Sequence, residues 1–523
     1  MSKPVVGIDL GTINSVVATV DNHGDVIILP NASGGEITPS VVYFDPDGSV
    51  VVGEEAVQAA AIDPDHGVQL IKRAMGTEYP IQVRGQEHTP ESISALILKQ
   101  LVGAAAGYDN QVSAVITVPA YFGLAEREAT YQAGVIAGLE VLELLDEPVA
   151  AATHYGLASG GDRTVLVYDL GGGTFDTTVL RISGGTVKVL ATDGHHELGG
   201  ADVDRRLLEL ILERLEQQLT RDQVNELAED RRILGELILD TEAAKKDLSA
   251  RTSRQVFVRT PAGRTSVTIT RADLDAACGD LYDTTAEIIQ RVLRAAGVHS
   301  HEGIDEIIMV GGSSRIPVLA ERLTALLDKA PRLVEPDLAV AKGAALRAHH
   351  ILATPQLSAL AAARGGTGRA VGAGQVSPVT ARAIGILIED SFDPSGKRSF
   401  VEHIVEANTS LPVERTADRF GTILPNQDSV RIQVYEQAGP IPSPEIGHNR
   451  RVLDGELTQI GSLKAGSVIK ITMRIAVDGR LTVIAHEPRS SRELRLEAFI
   501  EGVIDSAETE RLTALVGRTM LRG

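Results

Sequence analysis

Hydrophobic positions along residues 1 to about 352 follow two periods in turn. Short apolar runs such as 114–118 (AVITV), 165–169 (VLVYD) and 306–310 (EIIMV) have the length and β-branched content of buried strands, and apolar residues between them recur at helical spacing. Strands alternating with helices predict an α/β domain. Within it, 204–249 sets apolar residues at helical spacing amid dense charge, which predicts two or three helices with a solvent-washed face. At 354–376 (TPQLSALAAARGGTGRAVGAGQV) Ala and Gly replace the periodic pattern, so 353–376 reads as a flexible linker. From 377 to 503 short alternating strands take over, among them 430–435 (VRIQVY), 468–475 (VIKITMRI) and 481–485 (LTVIA), the pattern of an all-β sandwich. Residues 504–523 read as one final helix, with Asp505 and Glu508 at capping spacing.

The pattern also contains an internal repeat. The runs 5–12 (VVGIDLGT) and 165–172 (VLVYDLGG) share an apolar strand that ends in Asp-Leu-Gly, 160 residues apart, and a second apolar run resumes after each, at Val16–Val20 and at Thr177–Leu180. Each therefore predicts a β-hairpin with a tip rich in backbone N–H groups and hydroxyls. The stretches 114–132 and 306–324 form a second pair, each reading as strand, small-residue turn and helix. Glycine at a tip lets the chain approach a phosphate closely, and successive N–H groups make an anion nest that the Thr12 and Thr174 hydroxyls complete. Asp9 and Asp169 would repel a bare polyphosphate. They fit if a hard cation such as Mg²⁺ lies between them and the phosphates, held through its waters. This favours phosphoryl transfer, a chemistry that needs positioning and charge neutralisation more than covalent help.

Composition narrows the remaining choices. The 523 residues suffice for several buried cores, and 43% hydrophobic with 23% charged residues excludes global disorder. A net charge of −20 argues against nucleic acid and anionic membranes as partners. The N-terminal apolar run is cut by Asp9, too short for a signal peptide, and no 18 apolar residues run together. The one cysteine, Cys278, forms no internal disulfide and reads as a packed small hydrophobe; with no CxxC present, a cytoplasmic location is expected. There is no GxxxxGK[ST], GxSxG or HExxH, and Gly366-Thr367-Gly368 with Gly372 follows no strand. The neighbouring His195 and His196 read as surface or hydrogen-bonding residues, not metal ligands.

Six ordered motifs over some 310 residues then point to a family: GIDLGTINS (7–15), VPAYF (118–122), LLDEPVAAATHYG (144–156), VYDLGGGTFD (167–176), ELGGADVD (197–204) and VGGSSRIP (310–317). Together they resemble the ATPase domain of the heat-shock 70 kDa chaperones, the DnaK-like proteins. The resemblance implies an α/β actin-like (ribonuclease-H-like duplicated) ATPase domain over 1–352, then an all-β sandwich of the substrate-binding type and one short C-terminal helix. It implies slow hydrolysis of ATP to ADP with Mg²⁺, K⁺ being a further candidate ion, coupled to binding of extended hydrophobic peptides. By the same resemblance Asp9 and Asp169 hold the metal through water, Lys72 touches the γ-phosphate and the attacking water, Glu147 helps order both, Thr174 is catalytic, and Asp176 is a second carboxylate near the cleft. Gly11, Thr12, Ile13, Gly171, Gly172, Gly173, Gly199 and Gly200 correspond to phosphate-side positions. Glu242, Lys245, Lys246 and Ser249 correspond to one side of a nucleoside clasp; Gly311, Gly312, Ser313, Arg315 and Asp337 form the other. Pro119 and Arg127 resemble the pair that couples nucleotide state to the partner domain, and Ile386, Phe420, Ile423, Val430 and Ile432 fall where a peptide groove would be lined. The same five residues could equally fill a sandwich core.

Departures from the family pattern are also visible. Ile13 stands where the family has a second threonine, the stretch between Tyr79 and Thr89 is short, and 389–400 is long. The linker lacks the usual leucine run flanked by aspartates, and only about 20 residues follow the sandwich, so the helical lid is expected to be essentially absent and peptides to leave quickly. A J-domain co-chaperone and a nucleotide exchange factor are implied partners. The alternatives from the same residues are a nucleotide-regulated protein with one dedicated partner, a small-molecule kinase of the same superfamily, and a filament former.

Overall fold

The computed structural model describes residues 3–522 except 107–110, 160–161, 185, 221, 224–226, 228, 261–262, 354–375, 391–397, 440, 478, 498–503 and 505. Two six-stranded sheets organise residues up to about 353. In the first the main path runs Glu140–Asp146, Ser113–Val118, Val5–Asp9, Asn14–Val20 and Val26–Leu29; in the second it runs Arg332–Leu333, Glu306–Val310, Arg163–Leu170, Phe175–Ser183, Thr186–His195 and Val376–Ser377. Each sheet is built around one of the repeated hairpins, antiparallel within the hairpin and parallel to the strand on its other side. The duplication read from the sequence is therefore a duplication of lobes.

Small residues decide how the lobes meet. Helices Glu147–Ser159 and Ala339–Ala353 supply Ala150, Ala151, Ala152, Ala344 and Ala348 to an apolar cluster shared with strands of both sheets. Their backbones nearly touch: a Cβ on Gly343 would lie 1.8 Å from the Ala150 carbonyl oxygen, and one on Gly7 would lie 2.0 Å from the Ala345 nitrogen. Helix Arg231–Ala250 and the hairpin Ser253–Thr260/Gly263–Thr270 extend the second lobe, their apolar stripe joining its core as the charged amphipathic pattern predicts.

The β-rich half is a sandwich of two four-stranded antiparallel sheets, Ser399–Val405, Ile384–Glu389, Val430–Gln437, Asn449–Leu457 and Val413–Gly421, Val468–Ile475, Leu481–Glu487, Arg492–Glu497. Burial alternates along Val468–Ile475 and Leu481–Glu487, so Ile469, Ile471, Met473, Val483 and Ala485 fill the space between the sheets. Most of the segment expected as a linker, 354–375, lies outside the described residues; its last residue, Val376, pairs in parallel with Val187 and extends the second lobe's sheet. Of the long loop expected at 389–400, residues 391–397 likewise lie outside, and Ser399 and Phe400 begin a strand.

The sandwich rests on the first turn of helix Leu124–Ile136. Leu124 and Ala125 join the sandwich's apolar cluster, and Glu436 accepts a hydrogen bond from the Leu124 N–H (2.9 Å), capping that helix from the other domain. Glu126 sits between Arg450 (2.8 Å) and Arg382 (3.4 Å). Burial opposes its ionisation, but the two guanidinium groups outweigh burial and hold Glu126 down to about 2. Its contribution to docking is thus complete above the ordinary glutamate range and fades as pH falls toward 2. The Glu126→Gln variant should weaken docking by on the order of 1–3 kcal/mol at neutral pH. Fluorescence transfer between a dye on the sandwich and one on the first lobe checks this: the variant should separate at lower denaturant, and the gap should narrow as pH is lowered from 5 to 3.

The tail carries its expected helix and adds a short strand. Helix Ser506–Arg518 lies on the first lobe, then Leu521–Arg522 pairs as a parallel strand with Val50–Val52, and Asp505 lies outside the described residues. Lys99 ends the helix by donating to the carbonyls of Val516 (2.6 Å) and Thr519 (3.3 Å). No helix among the described residues is long and apolar enough to cross a membrane.

Candidate functional site

The two hairpin tips meet at the bottom of the cleft between the lobes. A Cβ on Gly172 would stand 2.3 Å from Ile13 Cγ1, and one on Gly173 would stand 2.2 Å from Thr12 Cγ2, so only glycine lets the tips come this close. Above them opens a cavity of about 510 Å³. Its floor is formed by Asp9, Gly11, Thr12, Ile13, Lys72, Glu147, Asp169, Gly171, Gly172 and Thr174; its upper walls carry Glu242, Lys245, Lys246, Ser249, Gly311, Gly312, Ser313, Arg315 and Asp337. Segments from seven places in the chain that the sequence singles out thereby line one space.

Charge is concentrated at the floor. Lys72, on the short 3₁₀ turn Ile71–Ala74, is 4% exposed and donates to Glu147 Oε1 at 2.6 Å. Burial, followed by the repulsion of Glu147, pushes the Asp9 carboxyl up to about 7, against the pull of Lys72 and a hydrogen bond from Thr117 (3.3 Å). Asp169 is held well above the carboxylate range by burial, then by Glu147 and Asp9, and Asp176 by burial, then by Glu147 and Asp169. One Asp176 oxygen accepts from the Tyr121 N–H (3.3 Å), while the other is buried without a partner. Crowded carboxylates that resist ionisation together are a setting that a cation would relieve. Among the described residues no three His, Cys, Asp or Glu side chains come together as a chelating group. Asp9 and Asp169, at opposite tips, are the side chains that could hold a hydrated hard cation.

Several expected residues stand behind the cavity instead of lining it. Gly200 and Ala201 donate to the carbonyls of Gly171 (3.0 Å) and Gly172 (2.7 Å), and a Cβ on Gly199 would meet the Gly173 backbone at 2.6 Å; residues 199–200 thus brace the second tip. Gly173 and Asp176 also lie off the cavity wall. In the upper walls Lys246 pairs with Glu242 (2.7 Å), Lys245 with Asp204 (2.6 Å), and Arg315 with Asp337 (2.5 Å). Arg127, bound to Asp146 and to the Phe122 carbonyl, borders the sandwich at Gly479; Pro119 accepts from the Phe122 N–H (3.0 Å). Of the five groove candidates, Ile386 and Ile432 are 4% exposed and belong to the sandwich core, Phe420 and Val430 are half-buried against it, and Ile423 is exposed beside Leu424.

Sequence reasoning missed two parts of the site. Arg73 donates to the Gly173 carbonyl through Nε (3.0 Å) and a terminal nitrogen (2.8 Å) and pairs with Asp202 (2.6 Å), tying the first lobe's turn to the second lobe's tip. Its only signal was adjacency to Lys72. The apolar wall residues Ile37 and Val340 carry no local signal, being ordinary hydrophobics from separate segments, while Val16 and Ile316 lie in stretches the sequence marked without assigning them to the site.

Comparison with known proteins places this geometry. The family model described as Hsp70 protein matches residues 5–84 and 78–516. The chain is 39% identical over 503 residues to the chaperone protein DnaK of Thermotoga neapolitana, covering 94% of this chain and 79% of that one. It is 36% identical over 502 residues to the chaperone protein DnaK of Thermosipho africanus, with the same coverage.

Proposed function

The chain belongs to the Hsp70 family, an ATP-hydrolysing chaperone of the DnaK type with an actin-like ATPase domain and a β-sandwich domain, and on that premise we propose how its own residues run the cycle. The observation that carries the account is the contact of two glycine-rich tips beneath a 510 Å³ cavity whose floor holds the Lys72–Glu147 pair. In this reading residues 1–352 bind the nucleotide, 353–376 connect, 377–503 bind peptide, and 504–523 follow as the C-terminal helix.

Backbone N–H groups of Gly11, Thr12, Ile13, Gly172 and Thr174 receive the phosphates, with the Thr12 and Thr174 hydroxyls as further donors. Asp9 and Asp169 would hold Mg²⁺ through water, and the ion supplies neutralisation of the phosphate charge. Lys72 is fixed by Glu147 and presents its ammonium to the charge that grows on the γ-phosphoryl group, while Glu147 orders the water that attacks phosphorus as the bond to ADP breaks. The adenosine lies between helix Arg231–Ala250 and the Gly311–Arg315 turn, where the Lys245 and Lys246 stems and Ile316 offer apolar cover. K⁺ as a second ion, apolar peptide segments as ligands, a J-domain protein and an exchange factor as partners, and the cytoplasm as location complete the proposal.

The test pairs two measurements on the full chain. Single-turnover hydrolysis with Mg²⁺ should proceed, and a labelled leucine-centred heptapeptide should leave about tenfold or more faster with ATP than with ADP. Hydrolysis without any nucleotide effect on peptide release would overturn the peptide cycle and leave the ATPase standing.

A further inference from the structure

The sandwich is held at both ends, each on a different lobe. At its start Val376–Ser377 extends the second lobe's sheet beside Val187 and Lys188. At its end, helix Ser506–Arg518 enters the core of the first lobe: Leu512 is 0% and Val516 1% exposed, in one cluster with Ile93, Leu96 and Ile97 of helix Pro90–Ala106, and Ile504, Leu515 and Leu521 pack against the same cluster. Main-chain pairing continues the attachment, with Leu521 opposite Val50 and the Val50 N–H donating to the Met520 carbonyl (3.0 Å). Lys99 closes the helix end, and Arg522 pairs with Asp47.

A surface-docked element would contribute side chains at the margin of the lobe. This one contributes core residues and an edge strand, so its departure would open the apolar face of Pro90–Ala106 to water. Between the sandwich's last strand, which ends at Glu497, and Ser506 there are only eight residues, which span roughly 30 Å at full stretch. While the helix stays seated, the sandwich cannot travel farther than that from the first lobe.

We propose that residues 506–522 are a permanent part of the first lobe, seated with ADP as with ATP, so that the sandwich works by short-range rocking on an eight-residue tether instead of by full release. The proposal rests on the nucleotide cycle above only for its second readout.

Hydrogen exchange on the full chain is the first readout. With saturating ADP, and separately with a non-hydrolysable ATP analogue, amides of Leu512 to Val516 should keep protection within about twofold of each other and comparable to Ile97–Leu101; a tenfold or greater loss of protection with ADP would overturn the proposal. The second uses Val51→Cys with Arg522→Cys in a Cys278→Ala chain, positions whose Cα atoms are strand partners. The oxidised, cross-linked chain should respond to nucleotide in peptide release within twofold of its reduced form. A locked chain that loses a response its reduced form retains would also overturn the proposal. If neither form responds, the cycle reading fails, and the exchange result alone decides the seating.

Discussion

The Lys72→Ala chain is expected to hydrolyse ATP in a single turnover about 10²- to 10³-fold more slowly than the native chain while still binding the nucleotide. Lys72 is buried at the cavity floor, and its cationic head counters Asp9, Asp169 and Asp176 as well as its partner Glu147. In the proposed site nucleotide affinity is spread over two tips and two upper walls, so losing one ammonium would leave most binding contacts, whereas charge that develops on the transferring phosphoryl would lose a fixed counter-charge. Calorimetry with MgATP separates the two effects. A rate within threefold of native, in a chain that binds MgATP normally, would remove Lys72 from the catalytic account.

The largest loss of stability is expected from Gly343→Ala. The added methyl carbon would lie 1.8 Å from the Ala150 carbonyl oxygen and 2.4 Å from its carbon, and both obstacles are backbone, which no rotamer change can move aside. Helices Glu147–Ser159 and Ala339–Ala353 would have to separate, and with them the apolar cluster that both sheets share. A loss of about 3 kcal/mol or more follows, seen as a drop of roughly 5–10 °C in the first thermal transition. Gly7→Ala, facing the Ala345 backbone across the same helix, should behave alike. An unfolding temperature within a degree of native in both variants would show that this crossing is slack.

These two sites mark the limits of what the chain's pattern reveals. The Asp-Leu-Gly hairpins were legible because strand period, tip glycines and acidic residue all repeat, and the two lobes followed from them. The floor of the cavity was legible for the same reason, together with the residues that the family resemblance supplied. Gly199 and Gly200 were assigned to the phosphate side, yet they brace the second tip, Gly199 by close approach to the Gly173 backbone and Gly200 by an N–H donated to the Gly171 carbonyl, interactions that leave no mark on side-chain identity. Ile386 and Ile432 alternate as groove and core residues alike would, so only packing could place them. Glu436 caps a helix 312 positions earlier, and a two-residue strand at 521–522 is shorter than any period that could reveal it. In each case the missing information is a long-range contact.

The Arg73 bridge has a consequence for how fast the products get out. In the proposed cycle a phosphate chain sits between tips that touch, and the halves would part like a clam as diphosphate departs. Every such parting ruptures both bonds to the Gly173 carbonyl and the pair with Asp202. In the proposed cycle one guanidinium group located outside the chemistry would thus slow the emptying of the spent site.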